Sequence, residues 1–256
     1  MNCGIFFRLA TDPLRPEGGG RSRSDGARNV LCVVAHPDDE ALGVGGTLIR
    51  HVRSGDRVGV VILSDGEGAK KAGAAKDPER IDKASAWARV TGCSLLGVFD
   101  FPDQRLDTVP MVEIVDRLEK SIREFNPDIV YTHHPGDLNH DHRIACNAVL
   151  VALRPMHANG APKDIYAFET PSSTDQAPNT AQFSFQPNHY VVLDDLVDEK
   201  MNALEVYSNE LGDPPHPRSR ESIRALATKR GAECGALSAE AFVLLRSVWN
   251  RPRDVG

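Results

Sequence analysis

Residues 36–40 of this chain read His-Pro-Asp-Asp-Glu and place three carboxylates beside one imidazole. Imidazole and carboxylate groups bind divalent metals, and a catalytic zinc site uses three protein ligands and keeps one position open. We expect His36 and Asp39 to supply two of these ligands. Asp38 points elsewhere if the segment is a turn, and it could act as the general base toward water at the metal. The competing interpretation is that both aspartates only cap the helix that follows.

A second polar segment, residues 132–143, carries the candidate for the third ligand. It contains four of the nine histidines of the chain, namely His133, His134, His140 and His142. We expect His142 to complete the metal site, because it lies at the start of a predicted helix and is therefore rigidly placed. Asp137 or Asp141 could orient a ligand imidazole through its second ring nitrogen, as is usual around protein-bound metals.

The surrounding pattern predicts an α/β fold with a mostly parallel sheet and helices on both faces. Strands are predicted at 30–35, 58–63, 94–101 and 129–132, and helices from about 40 to 53, from 77–78 onwards, over 109–125 and over 141–153. Parallel neighbours are joined by right-handed crossovers, and ligands bind beyond the carboxyl ends of such strands. The segments 36–40 and 133–142 both follow strands, so we expect them to meet in one crevice.

The remaining segments are less patterned. Residues 1–28 contain many breakers and few apolar residues, which predicts a flexible leader. Two further strands are predicted at 164–170 and 190–193, with a polar, proline-containing loop at 171–188 between them. Helices are predicted to dominate from Leu196 onwards, which gives a helical C-terminal part. Since no repeat interrupts the pattern, we expect residues 29–256 to form a single domain.

Composition excludes several classes of protein. Lys and Arg number 30 and Asp and Glu number 36, so the net charge is −6, which argues against binding to nucleic acid or anionic lipid. No apolar run approaches the roughly 20 residues of a membrane span. The five cysteines are scattered and form no C-x-x-C pair, so neither a disulfide framework nor a thiolate metal cluster is indicated. We expect a cytoplasmic protein.

The motifs together resemble a known family. Ala-His-Pro-Asp-Asp-Glu at 35–40, followed about a hundred residues later by Gly-Asp-Leu-Asn-His-Asp-His-Arg at 136–143, resembles the LmbE-like, or PIG-L, family of zinc-dependent N-deacetylases. Weaker similarity extends to Phe-Pro-Asp at 101–103, His-Pro-Arg-Ser at 216–219 and Ala-Glu-Ala-Phe at 239–242. The resemblance therefore covers roughly residues 30–249.

The resemblance implies a Rossmann-like fold that removes acetyl from an N-acetylated amino sugar or sugar conjugate. By the same resemblance, His36, Asp39 and His142 are the ligands of Zn²⁺, and Asp38 is the general base that later protonates the amine. Arg80 and Asp103 resemble positions that contact substrate. We expect Glu40 to orient the loop or a ligand.

One position departs from the family pattern. Several family members have a histidine three residues before the last ligand, where it is thought to polarise the amide oxygen, whereas this chain has Asn139. Asparagine donates a hydrogen bond but supplies neither a proton nor a charge. Zinc and a second histidine would then stabilise the oxyanion, and His216 is the candidate for that histidine, with a solvent-exposed loop residue as the alternative.

Two other functions stay open at this point. The same ligands could serve a metal-dependent hydrolase of a larger amide or of a phosphoester, or a non-catalytic protein that binds metal or carbohydrate. An intact Asp38 argues against mere binding, which needs no base. The sequence does not identify the acetylated substrate, and it leaves a homo-oligomer open. The loops at 66–77 and 171–188 are expected to shape specificity.

Overall fold

Five parallel strands form the centre of the fold. The computed structural model describes residues 26–66, 79–155, 162 and 164–248. The central strands are β1 (Asn29–Val34), β2 (Arg57–Ser64), β3 (Ser94–Phe101), β4 (Ile129–His133) and β5 (Asp164–Phe168). They lie in the order β3-β2-β1-β4-β5, so the direction of succession reverses between β1 and β4. The carboxyl ends of these two strands therefore form the crevice in which doubly wound folds bind ligands.

Two antiparallel strands extend the sheet beyond β5. They are β6 (His189–Val192) and β7 (Ala239–Ser247), and β7 pairs with both β5 and β6. The complete order is β3-β2-β1-β4-β5-β7-β6. A mostly parallel sheet is thus present, as the sequence predicts.

In the part of the chain that the structure describes, six α-helices cover the two faces of the sheet. They are α1 (Asp39–Arg53), α2 (Glu79–Thr91), α3 (Met111–Phe125), α4 (His140–Ala152), α5 (Val197–Leu204) and α6 (Arg220–Cys234). Short 3₁₀ helices occur at Leu106–Thr108, Thr174–Gln176 and Glu205–Glu210. None of the helices in the described part of the chain has the length and apolar character that a membrane span requires.

The alternation of side chains along β1 divides the core into two layers. Val30, Cys32 and Val34 face one layer, which also contains Trp87 of α2 and Met201 of α5. Leu31, Val33 and Ala35 face the other layer, which contains residues of α3 and α4. Because both faces of β1 are buried, its residues form a continuous apolar run, as is typical of a central parallel strand.

The predicted elements agree closely with the structure except at their ends. The bounds of β3 are as predicted, whereas α3 begins at Met111 because Pro110 precedes it, and α4 begins one residue early, at His140. The predicted helix start at 77–78 and most of the predicted leader lie outside the described residues. The four cysteines among the described residues are free thiols.

The prediction of a helical C-terminal part is correct only as far as α6. Gly235 adopts a left-handed conformation, with φ of 81°, and ends α6. The next element is the strand β7, which lies in the region where helices are predicted to dominate. Alanine and glutamate at its start favour helix locally, but pairing with β5 and β6 outweighs this intrinsic preference. The residues of one segment do not reveal which distant strands it will pair with.

A buried ion pair joins β7 to α1 and α5. The Nζ of Lys200 lies 2.7 Å from Oε1 of Glu240, and it also donates to the carbonyl oxygen of Leu42. The Glu240 carboxylate accepts from the backbone N–H groups of Gly46 and Thr47, at 2.9 and 2.7 Å. Since α1 begins at the candidate site, this pair fixes the helix that carries Asp39.

We expect Glu240→Ala to lower the free energy of unfolding by about 3–5 kcal/mol, because it leaves the Lys200 ammonium and two backbone N–H groups buried without their partner. Denaturant unfolding at neutral pH measures this free energy. Asp198→Ala, which breaks an exposed ion pair with Arg224, is the control and should leave the transition close to that of the wild type. A Glu240→Ala protein as stable as this control would show that the buried pair contributes little.

Candidate active site

The two polar segments predicted to meet do meet at the carboxyl ends of β1 and β4. Residues 35–38 connect β1 to α1, and residues 134–139 connect β4 to α4. His36, Asp38 and Asp39 from the first segment are buried, and so are Asp137 and His142 from the second. Ionisable groups are rarely buried unless they are paired or bind a metal.

Three candidate ligands converge within this crevice. Oδ2 of Asp39 lies 3.3 Å from Nδ1 of His36 and 3.3 Å from Nε2 of His142. Taking one ligand atom from each residue, the three atoms lie within 4.8 Å of one another. Two imidazoles and one carboxylate form a donor set that suits zinc.

The other oxygen of Asp39 supports the same interpretation. Oδ1 is buried and has no hydrogen-bond partner among the residues that the structure describes. A buried carboxylate oxygen without a partner is costly, and a bound cation would satisfy it. The residues present therefore fit a divalent metal ion.

The electrostatic environment favours a cation between these side chains. Burial alone would raise the pKa of Asp39, but His142 and His133 outweigh this effect and lower the pKa well below its usual value. Burial alone would lower the pKa of His142, but Asp39 and Asp137 raise it to about 9. The cluster thus attracts positive charge, which a proton on His142 or a metal ion can supply.

Carboxylates on the far side of each imidazole fix its orientation. Nδ1 of His142 lies 3.2 Å from Oδ1 of Asp137. Nε2 of His36 lies 3.3 Å from Oδ2 of Asp141 and 3.1 Å from Oδ1 of Asp103. Carboxylates in this relation hold a metal-ligating histidine in one tautomer and one direction. Asp137 and Asp141 thus remain the residues predicted to orient the imidazoles, whereas Asp103, expected to contact substrate, lies behind His36.

Asp137 is itself held by the loop after β5. Its carboxylate accepts hydrogen bonds from the hydroxyl groups of Ser173 and Thr174 and from the backbone N–H of Asn139. Burial alone would raise its pKa, but the contacts with His142 and the two hydroxyls lower the pKa to about 2. Asp137 is therefore a firmly ionised acceptor for the ring nitrogen of His142.

Asp38 occupies a different environment from its neighbour. Its side chain makes no hydrogen bond that caps α1, so capping alone does not account for it. Oδ2 instead accepts from Nη1 of Arg218 at 3.0 Å and lies 3.5 Å from Nη2 of Arg80. Burial raises the pKa of Asp38, Arg218 lowers it, Asp39 raises it and Arg80 lowers it, and the result is a pKa of about 6.

Glu40 holds the backbone of the same loop. Its Oε2 accepts from the backbone N–H of Asp38 at 3.1 Å, and its Oε1 accepts from the hydroxyl of Tyr207 at 2.6 Å. Burial raises the pKa of Glu40 to about 8, although the hydrogen bond from Tyr207 opposes that shift. Glu40 is therefore positioned to orient the loop.

Two residues predicted to assist the reaction have other contacts. The side-chain oxygen of Asn139 accepts from the backbone N–H of Asp141 at 2.9 Å and caps α4, which leaves only its amide nitrogen to donate. His216 is exposed, and its Nδ1 accepts from the backbone N–H of Arg218 at 3.1 Å. None of the hydrogen bonds given for the described residues joins His216 to Asp38 or to the candidate ligands.

Arg80, in the first turn of α2, is turned toward the loop that carries Asp38. Its guanidinium donates to the carbonyl oxygens of Gly66 and Pro37, in addition to its contact with Asp38, and it lies 3.5 Å from Oε1 of Glu210. The side chain is 13% exposed. Arg80 therefore lies at the site, and the contacts of its guanidinium are with other residues of the chain.

Two residues at the site have no role predicted from the sequence. His133 is fully buried, its ring stacks on that of His142 with centroids 3.9 Å apart, and its Nε2 accepts from the backbone N–H of Ala35. Burial lowers the pKa of His133 to about 4, so the ring is neutral. The cluster of histidines in residues 132–143 is the sequence signal that could have identified His133 as a site residue. Arg218, in contrast, lies in a weakly matching motif, and no spacing rule links it to Asp38.

Comparison with known proteins finds a family profile that matches part of the chain. The family profile described as PIG-L, GlcNAc-PI de-N-acetylase, matches residues 31–153, which run from within β1 to the end of α4 and contain the three candidate ligands. Diacetylchitobiose deacetylase of Thermococcus kodakarensis is 26% identical over 84% of this chain and 82% of that protein.

Solved structures share the fold. N,N'-diacetylchitobiose deacetylase of Pyrococcus horikoshii has a TM-score of 0.70 at 21% identity, over 88% of this chain and 86% of that one. GalB of Pseudomonas putida, a 4-carboxy-2-hydroxymuconate hydratase, has a TM-score of 0.69 at 23% identity, over 88% of this chain and 99% of that one. These two likenesses concern the fold alone, since a fold hosts more than one reaction. Residues 31–153 thus match the PIG-L, or LmbE-like, family of de-N-acetylases, and the chain is similar to deacetylases over most of its length.

Proposed function

We propose that this protein is a zinc-dependent N-deacetylase that releases acetate from an N-acetylated amino sugar or a conjugate of one. One observation carries the proposal: a buried carboxylate, Asp38, stands directly beside a convergent set of two imidazoles and one carboxylate. Hydrolysis of an amide needs a proton acceptor next to an electrophilic centre, and this arrangement supplies a residue for each.

His36, Asp39 and His142 would hold the metal. When bound, a zinc ion acts as a Lewis acid toward a carbonyl oxygen and lowers the pKa of water. The protein residues around it fix the ligands in place, with Asp137 behind His142 and with Asp141 and Asp103 behind His36. Removal of such outer carboxylates typically weakens metal binding roughly 10–100-fold.

Asp38 carries the proton transfers in this proposal. It accepts a proton from the attacking water, a bond forms between the water oxygen and the acetyl carbon, and Asp38 returns the proton to the amide nitrogen as the C–N bond breaks. The products are acetate and the free amine, so the atoms balance with water as the sole co-substrate. Arg218 and Arg80 stabilise the anionic form of Asp38 that begins the cycle.

The relatives support an amino-sugar substrate. The relative from Thermococcus kodakarensis is named diacetylchitobiose deacetylase, and a relative from Bacillus anthracis is named "Probable N-acetyl-alpha-D-glucosaminyl L-malate deacetylase 2". Of the two loops expected to shape specificity, 171–188 contacts the site through Ser172, Ser173 and Thr174. Most of the other loop, 66–77, lies outside the described residues.

The substrate can be found by incubating the protein with a panel of N-acetylated sugars, with added zinc or with a chelator. We expect mass spectrometry to detect the loss of one acetyl group from at least one sugar, in the zinc arm only. Release of phosphate from a phosphoester, release of a different acyl group, or hydration of an unsaturated acid in place of deacetylation would contradict the proposal.

We expect Asp38→Asn to keep the metal and to lower kcat by roughly 10²–10⁴-fold, because asparagine cannot accept the proton of the attacking water. Acetate release measures kcat, and elemental analysis of the dialysed protein measures the metal. Near-normal turnover by this variant would rule out Asp38 as the base.

We expect His142→Ala to lose the metal, with a fall in zinc affinity beyond the roughly 10–100-fold caused by loss of an outer residue. The matched control is His140→Ala, because His140 is an exposed histidine in the same first turn of α4. Competition with a chromogenic chelator compares the two affinities. Equal zinc affinity in the two variants would exclude His142 from the ligand set.

A further inference from the structure

Strained backbone in the described residues concentrates at the candidate site. Four residues other than glycine have positive φ: Asp38 at 108°, Gln104 at 55°, Asn126 at 50° and Ser172 at 71°. Asn126 merely ends α3. The side chain of Gln104 contacts the ring of His36, and Ser172 accepts from Arg218. Such conformations persist only where the surroundings over-determine them, and they cluster at functional sites.

Asp38 is held from three sides. Glu40 accepts from its backbone N–H, and Arg80 donates to the carbonyl oxygen of the preceding residue, Pro37, at 3.3 Å. Those two contacts fix the backbone. The carboxylate itself is fixed by Arg218, whose Nη1 lies 3.0 Å from Oδ2, whereas Arg80 approaches the same oxygen only to 3.5 Å.

Arg218 is in turn fixed at a second point. Its Nε donates to Oγ of Ser172 at 2.7 Å, so one planar guanidinium bridges the loop after β5 and the loop after β1. Because Nε and Nη1 belong to the same rigid plane, the bond to Ser172 sets the direction from which Nη1 reaches Asp38. The Arg218 side chain is 19% exposed, so the contact is largely shielded from water.

We infer that Arg218 is a positioning residue for the base, and that Ser172 aligns it. Arg218 acts through Asp38: it holds the carboxylate in one orientation on a strained backbone. This inference rests on the proposed function, since it takes Asp38 to be the proton acceptor. A displacement of about 1 Å in a reacting group can lower a rate roughly 10²-fold, which sets the expected effect.

The first test compares Arg218→Ala with Arg220→Ala. Arg220 lies two residues further along the same segment and makes an exposed ion pair with Glu205, so it controls for charge removal there. We expect Arg218→Ala to lower kcat roughly 10²-fold with KM changed less than about threefold, and guanidinium ion, well below denaturing concentrations, to restore part of the activity. Arg220→Ala should match the wild type. Loss of activity in His216→Ala, with none in Arg218→Ala, would overturn the inference.

The second test separates the two ends of the bridge. Ser172→Gly removes the hydroxyl and tolerates positive φ, so it deletes the hydrogen bond without adding backbone strain. We expect it to lower kcat roughly tenfold in the wild-type background and to add almost nothing to Arg218→Ala, because residues that act through one another are not additive. An equal loss in both backgrounds would contradict the bridge.

A third measurement does not depend on turnover. In protein with ¹⁵N-labelled arginine, the Nη protons of Arg218 should be resolved and slow to exchange in the wild type, and should lose that protection in Asp38→Asn. Unchanged protection would overturn the inference even where both variants are inactive. If the wild type releases no acetate from any sugar, the proposed function fails, while this measurement still decides whether Arg218 holds Asp38.

Discussion

The site depends on one constraint, which is that several carboxylates are buried close together and must be matched by positive charge or by hydrogen-bond donors. Asp38, Asp39, Asp103, Asp137 and Asp141 are all at most 5% exposed. An isolated carboxylate in such surroundings would take up a proton. Here each has a partner of a different kind: guanidinium for Asp38, imidazole for Asp39, Asp103 and Asp141, and hydroxyls with imidazole for Asp137. The role open to each carboxylate follows from its partner.

These partners come from segments that are far apart in the chain, so the site exists only when the sheet is complete. His142 reaches Asp39 because β1 and β4 are neighbours at the point where the order of strands reverses. Tyr207 and Arg218 arrive from the helical region that packs on the same layer as α1, and α1 is anchored at its far side by Glu240 of β7. Closure of the two antiparallel strands onto β5 therefore supports the loop after β1, although neither strand supplies a candidate ligand.

The sequence predicts the part of this arrangement that follows from strand ends. His36, Asp39 and His142 lie in the loops and first helical turns that follow buried strands, and parallel topology brings such positions together whatever their separation in the chain. Asp103 also follows a strand, but only the register of β3 and the loop after it decides that it faces His36. Arg218 lies in a loop between helices, where no periodicity fixes the direction of a side chain, so the sequence does not link it to Asp38. The strand β7 is not predicted for a related reason, because its partner strands are distant in the chain and the alanine and glutamate at its start favour helix.

Asp38 and Asp39 are adjacent and identical, but their side chains have different partners, which explains how they can have different roles. Positive φ at Asp38 turns its side chain away from that of Asp39, toward Arg218 and Arg80. Arginine does not release its proton in proteins, so these guanidinium groups remain with Asp38 and keep it anionic without offering a place for a metal. The partners of Asp39 are imidazoles. An imidazole nitrogen that loses its proton can bind a metal ion through the same lone pair. Under the proposed function, a metal in this crevice would therefore be directed to Asp39, and Asp38 would accept a proton beside it.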